Sequence, residues 1–85
     1  MFVIVQHKIS DPKTFWSTAE KVVPALPKGL RVVQTLPNKE GTQAVCLWEA
    51  DNVDAVRKAI EGAVGKVSKN EYFAVDDKKA VGLVR

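Results

Sequence analysis

The order of hydrophobic and polar residues divides the chain into four strand-like and two helix-like segments. β-Branched and aromatic residues are enriched in the strand-like segments, which are Phe2–Ile9, Leu30–Leu36, Thr42–Ala50 and Asn70–Val75. Apolar residues at helical spacing predict helices over Asp11–Leu26 and Asp51–Val64. The resulting order, β-α-β-β-α-β, predicts an α+β, ferredoxin-like fold, with a four-stranded antiparallel sheet and both helices on one of its faces.

Each predicted helix begins at a capping residue and carries one apolar stripe. Asp11 and Pro12 combine a capping side chain with a proline suited to the first turn, and Asp51 or Asn52 caps the second helix. Pro27-Lys28-Gly29 ends the first helix. The predicted buried stripes are Phe15, Ala19, Val22, Val23 and Leu26 in the first helix, and Val53, Val56, Ile60 and Ala63 or Val64 in the second.

The strands are apolar on both faces, which is unusual for a sheet with one solvated side. An antiparallel sheet of that kind alternates apolar and polar residues, whereas Phe2-Val3-Ile4-Val5 and Ala44-Val45-Cys46-Leu47-Trp48 do not. Since the helices cover one side only, we predict that a second copy of the chain covers the other, giving a homodimer. The tail, Ala80–Val84, is a fifth short strand, an arm laid on the partner or a frayed end.

Size and charge argue for one ordinary domain without a nucleic-acid partner. The 85 residues predict a single domain spanning residues 1–85. The net charge of +3 comes from lysines spread along the chain, whereas nucleic-acid binders cluster their basic residues. An RNA-recognition module of the same element order stacks bases on aromatic residues, but the matching positions here are Gln43 and Val45, and Phe2 is the one suitable aromatic on the first strand.

The cysteine count and the lengths of the apolar runs indicate the compartment. One cysteine, Cys46, excludes an intramolecular disulfide and favours a reducing environment. The N-terminal apolar run is too short for a signal peptide, and no run approaches the length of a membrane span. We therefore expect a cytoplasmic protein without a membrane partner.

His7, the sole histidine, is the first candidate for catalysis, as a proton donor or acceptor near neutral pH. Its structural alternative is a strand-end residue that is hydrogen-bonded to a neighbour. As a metal ligand, His7 lacks a second His or a Cys at ligand spacing, so a metal site would need symmetry-related residues or carboxylates. We predict no metal ligands in the chain, and we predict no cofactor. The side chains of Glu49 and Glu71 are candidate general bases or simply solvated carboxylates, and Arg57 and Glu61 have the spacing of a helical ion pair.

Three further aromatic residues are candidate ligand-binding residues. Trp16, Trp48 and Tyr72 would line a cavity with their polar tips turned to a ligand, and the alternative for each is core packing. Cys46, between Val45 and Leu47, is predicted to be a small buried hydrophobic residue instead of a nucleophile.

The second half of the chain resembles a known superfamily. The stretches Cys46–Ala50, Asp54–Arg57 and Glu71–Val75, together with Gly65, resemble small proteins of the dimeric α/β-barrel superfamily, many without an assigned function. This superfamily also holds antibiotic-biosynthesis-type monooxygenases, muconolactone isomerase and stress-responsive barrel proteins.

The resemblance implies a homodimer with two sheets packed face to face and a small cavity between sheet and helices in each protomer. The usual Asn, Trp and His arrangement of the monooxygenases is not reproduced, since Trp16 and His7 are the only plausible counterparts.

Three hypotheses follow from these observations. The first is a homodimeric barrel that binds a small, partly apolar molecule. The second is a cofactor-independent monooxygenase or isomerase-type enzyme that uses His7. The third is a structural or interaction module without a ligand.

Overall fold

The structure is a computed structural model, and it describes residues 1–83. Its elements are β1 Phe2–Ile9, α1 Pro12–Val22, a 3₁₀ turn Val23–Ala25, β2 Arg31–Pro37, β3 Gln43–Glu49, α2 Val53–Val64 and β4 Ser68–Ala74. All four strands pair antiparallel in the order β2-β3-β1-β4. The predicted α+β, ferredoxin-like fold is confirmed.

The register of the central strands decides which side chains meet in the core. On β1, Val5 lies opposite Cys46 of β3 and Tyr72 of β4, and His7 lies opposite Ala44 and Asn70. Because strand side chains alternate between faces, every second residue of β1 points towards the helices. The core therefore forms between that face of the sheet and the two helices, and it contains Val3, Val5, Ile9, Phe15, Cys46, Trp48, Val56, Ile60 and Val64.

The helix starts agree with the predicted caps, but the first helix ends earlier than predicted. Asp11 Oδ1 accepts the backbone N–H of Thr14 at 3.2 Å, and Asn52, not Asp51, caps α2. Pro24 has no N–H to donate, and at this point the chain tightens into the 3₁₀ turn. Val23, predicted to be part of the buried stripe, is consequently 44% exposed.

The other face of the sheet carries the second set of apolar residues. Leu36 and Phe73 are 59% and 50% exposed there, and Val45 is also exposed. By contrast, Leu47 is buried although it lies outside the core cluster. We call this surface the open face, and its apolar members are Phe2, Ile4, Leu36, Val45, Leu47, Phe73 and Val75.

The tail runs beside the open face. Residues 80–83 are not in a strand, and together with Asp76 and Lys79 they border a hollow that Ile4 and Leu47 also line. Val84, the last residue of the predicted tail, lies outside the described residues. Neither helix of the described chain is long and apolar enough to cross a membrane.

Candidate functional site

A small cavity lies between the sheet and the helices. Its volume is about 60 Å³, and its lining is almost entirely apolar. Strands β1 and β3 contribute His7, Cys46 and Trp48, and α1 contributes Phe15 and Trp16. Three of the four residues predicted from the sequence to form a site, His7, Trp16 and Trp48, thus line this cavity.

Trp16 is held in the cavity wall by the turn between β2 and β3. Its indole Nε1 donates to the backbone oxygen of Gly41 at 2.9 Å. A β-carbon at Gly41 would lie 3.1 Å from that nitrogen, and Gly41 has a φ of +73°, which side chains rarely adopt. The glycine therefore allows the close approach that satisfies the Trp16 donor.

Trp48 has no such partner. The residue is only 5% exposed, and its indole Nε1 is buried without a hydrogen bond. Among the side-chain nitrogens and oxygens of residues 1–83 that have no solvent-accessible surface, it is the one without a partner. Leaving a buried donor unpaired costs about 1–3 kcal/mol. Trp48 is thus packed in the core, which is the alternative to ligand binding given above. It also lines the cavity, and its indole N–H is a donor that no described residue uses.

His7 is buried at the same cavity and has one hydrogen-bond partner. Its Nδ1 lies 2.5 Å from Asn70 Oδ1 on β4, and its ring centroid lies 5.2 Å from that of Phe15 in an edge contact. Burial lowers the pKa of His7, while the Asn70 hydrogen bond and the Glu61 charge act in the opposite direction. The imidazole is accordingly neutral at pH 7.

Glu61 connects this histidine to the surface. Its Oε2 accepts from Asn70 Nδ2 at 2.8 Å and from the Tyr72 hydroxyl, and these two bonds lower the pKa of Glu61. Tyr72 has a raised pKa because of burial and of this carboxylate. The structure thus places Tyr72 outside the cavity lining, with its hydroxyl on Glu61.

The predicted Arg57–Glu61 ion pair is wrong. Arg57 pairs instead with Asp54 at 3.4 Å, and its guanidinium lies 5.1 Å from the centre of the Tyr72 ring. Since Glu61 turns towards β4, where Asn70 and Tyr72 donate to it, its carboxylate is the exposed end of the network around His7.

The remaining candidates are two carboxylates that lie outside the cavity and one thiol in its lining. Glu49 forms an exposed ion pair with Arg31 at 2.7 Å, and Glu71 is exposed on a strand position that faces away from Asn70. Cys46 is buried, burial raises the pKa of its thiol, and its Sγ lies 3.8 Å from Thr35 Oγ1. The prediction of Cys46 as a small buried residue is confirmed.

Sequence reasoning missed Asn70 and Glu61. One sign of them is present in β4, where Ser68, Asn70 and Tyr72 place polar groups at every second position. This alternation marks a polar row on the helix-facing side of the strand. Glu61 gives no comparable sign, because its role depends on how α2 lies against β4.

No family model matches the chain, and no curated protein matches it. Within the described part of the chain, no three His, Cys, Asp or Glu side chains come together as a metal site.

Proposed function

We propose that this chain binds a small, partly apolar molecule in the cavity between sheet and helices. The observation that carries the proposal is the unpaired indole N–H of Trp48, a residue that lines this apolar cavity. A ligand with one hydrogen-bond acceptor would satisfy that donor and bury its own apolar surface against the walls. A water molecule fits less well, because buried waters usually have roughly two to four polar partners.

The sharpest test uses the two tryptophans as a matched pair. We expect 2-butanone, which has an acceptor but no donor, to bind the protein and shift the NMR signal of the Trp48 indole N–H. Trp48→Phe should weaken this binding about 2- to 12-fold, the factor of one net hydrogen bond of about 0.5–1.5 kcal/mol. Trp16→Phe is the control, since the Trp16 donor is already used by Gly41.

Two results would contradict the proposal. One is the absence of any 2-butanone-dependent shift in the cavity residues, which would favour a structural module without a ligand. The other is an equal loss of affinity in both phenylalanine variants, because only Trp48 has a donor to offer.

The proposed assembly is a homodimer, like those of the dimeric α/β-barrel superfamily that the sequence resembles. The proposed compartment is the cytoplasm. The support is the open face, where Leu36 and Phe73 expose half or more of their surface beside Val45. An exposed apolar patch of this kind is typical of an interface. A two-fold axis would place this patch against itself. The free thiol of Cys46 supports a reducing compartment.

A second candidate function is proton transfer by His7, in an isomerase-type or cofactor-independent monooxygenase-type enzyme. It is favoured by two features of His7: burial lowers the pKa of the ring, and its Nε2 has no hydrogen bond with residues 1–83. A neutral imidazole with a free nitrogen at a cavity can act as a general base.

If His7 acts as a base, the protein should exchange the α-deuterons of deuterated 2-butanone with water, and His7→Gln should lose this exchange. Only the unprotonated ring can act as a base, so the exchange rate should rise with pH until the ring is fully deprotonated. Because burial lowers the pKa of His7, the rate should reach its plateau at a lower pH than it would for an ordinary histidine, whose pKa is about 6.5. Exchange followed by NMR tests this, with sedimentation to check the assembly. An unchanged rate in His7→Gln would remove His7 from this role.

A further inference from the structure

Asn70 can face His7 in only one orientation. The Asn70 atom 2.8 Å from Glu61 Oε2 must be the amide nitrogen, because a carboxylate oxygen only accepts hydrogen bonds. The Asn70 atom near His7 is then the carbonyl oxygen. The Ser68 hydroxyl lies 2.9 Å from this oxygen and 3.1 Å from the Val64 carbonyl oxygen, so its single proton has two possible acceptors. The Glu61 carboxylate and the Ser68 backbone oxygen both accept from Asn70 Nδ2, and they fix the orientation of the amide.

This orientation decides where the proton of His7 lies. Asn70 Oδ1 is an acceptor 2.5 Å from Nδ1, so Nδ1 carries the proton, and a neutral imidazole has only one. Nε2 is then an acceptor, and it has no hydrogen bond with any described residue. Since the Nδ1 edge of the ring is taken by Asn70, the ring offers Nε2 to a molecule in the cavity that His7 lines.

The surroundings of the ring keep it in this neutral form. Phe15 packs its ring edge on His7 from α1, and Cys46 on β3 is a protonated thiol. The charged neighbour is Glu61 on α2, whose carboxylate raises the pKa of His7, but by less than burial lowers it. Tyr72 on β4 donates to that same carboxylate.

We propose that Asn70 and Glu61 are positioning residues that hold His7 in its Nδ1–H tautomer, and that the cavity therefore selects molecules that donate an O–H or N–H group to Nε2. This inference rests on the proposed ligand binding and names the chemical class of the ligand. An alcohol, phenol or enol fits both this acceptor and the free indole donor of Trp48, whereas an ether or a ketone fits only the donor.

The tautomer can be measured directly, because the chain has one histidine. At pH 8, ¹⁵N NMR should show Nδ1 of His7 as the protonated nitrogen and Nε2 as the unprotonated one. Asn70→Leu removes the acceptor and should produce a mixture of the two tautomers. Glu61→Leu should shift the population in the same direction, because the amide is then free to turn.

Glu71→Leu is the matched control for Glu61→Leu. It removes the same charge from a residue next to Asn70 but on the other face of the sheet, so the tautomer should not change. Because Glu61 is exposed, we expect Glu61→Leu to fold, and this variant still tests the inference if Asn70→Leu does not fold. A wild-type ring protonated on Nε2, or one whose tautomer is unaffected by both Asn70→Leu and Glu61→Leu, would overturn the inference.

The ligand preference is tested with two isomers, 1-butanol and diethyl ether. They have the same atoms, and both can accept from Trp48, but only the alcohol can donate to His7. We expect the alcohol to bind about 2- to 12-fold more tightly, the factor of one net hydrogen bond, and the difference to shrink in Asn70→Leu. Equal binding of the two isomers would overturn the donor preference while leaving the proposed function intact. Binding of neither would overturn both.

Discussion

Phe73→Lys should convert the proposed dimer into a monomer at micromolar concentration. Phe73 is half exposed in the chain and lies opposite Ile4, within the apolar part of the open face. In a two-fold dimer each substitution enters the interface twice, and each would place an ammonium group among apolar side chains. A loss of about 3 kcal/mol corresponds to dissociation roughly 100-fold easier. Sedimentation velocity at several concentrations measures this.

The control for this experiment is Val23→Lys. It introduces the same charge at a residue of similar exposure, but on the helical layer behind the sheet. This variant should remain a dimer. A wild-type protein that sediments as a monomer at micromolar concentration would contradict the assembly, and a Phe73→Lys variant that stays dimeric would place the interface elsewhere.

The tail changes how much of the open face the proposed partner would cover. Because the two helices cover only one side of the sheet, the sequence predicts that a partner covers the whole of the other side. The structure shows residues 79–83 beside Ile4 and Leu47, and Leu47 is buried in the single chain. The part of the open face that stays exposed is centred on Leu36, Val45 and Phe73. The proposed interface is therefore smaller than the full set of apolar residues that the strand sequences place on this face.

The elements of the fold were predictable because their patterns are local. The helical spacing of Val56, Ile60 and Val64 and the β-branched run of β1 each identify one element without reference to the rest of the chain. The end of α1 was less predictable. It depends on Pro24, which cannot donate the hydrogen bond of a continuing α-helix but fits the first turn of the 3₁₀ segment.

The site was predictable only in part, for a physical reason. His7 and Trp16 stand out in the sequence because of their rarity and side-chain chemistry. The partner of His7 is 63 positions away in the sequence and is fixed by the register of β1 and β4. The unpaired donor of Trp48 is a property of what surrounds the ring, and no spacing in the sequence encodes it.

Phe15→Ala should cause the largest loss of stability of any single substitution considered. Phe15 is the one fully buried residue of α1, and its ring contacts both His7 and Trp16. Removing a buried phenylalanine ring costs about 3–5 kcal/mol, part of which is the cavity left behind. A chain of 85 residues has little stability in reserve, since domains are stable by only about 5–15 kcal/mol.

The loss should be seen in urea unfolding as a midpoint shifted to much lower denaturant, with an unchanged slope. Phe15→Leu is the control, because it keeps most of the volume and should cost less than about 1.5 kcal/mol. The smaller residue in Phe15→Ala also removes the edge contact that helps to bury His7, so the pKa of His7 should rise towards its ordinary value in any fraction that remains folded. An alanine variant as stable as the leucine variant would show that α1 is held on the sheet by other residues and that the cavity wall does not depend on Phe15.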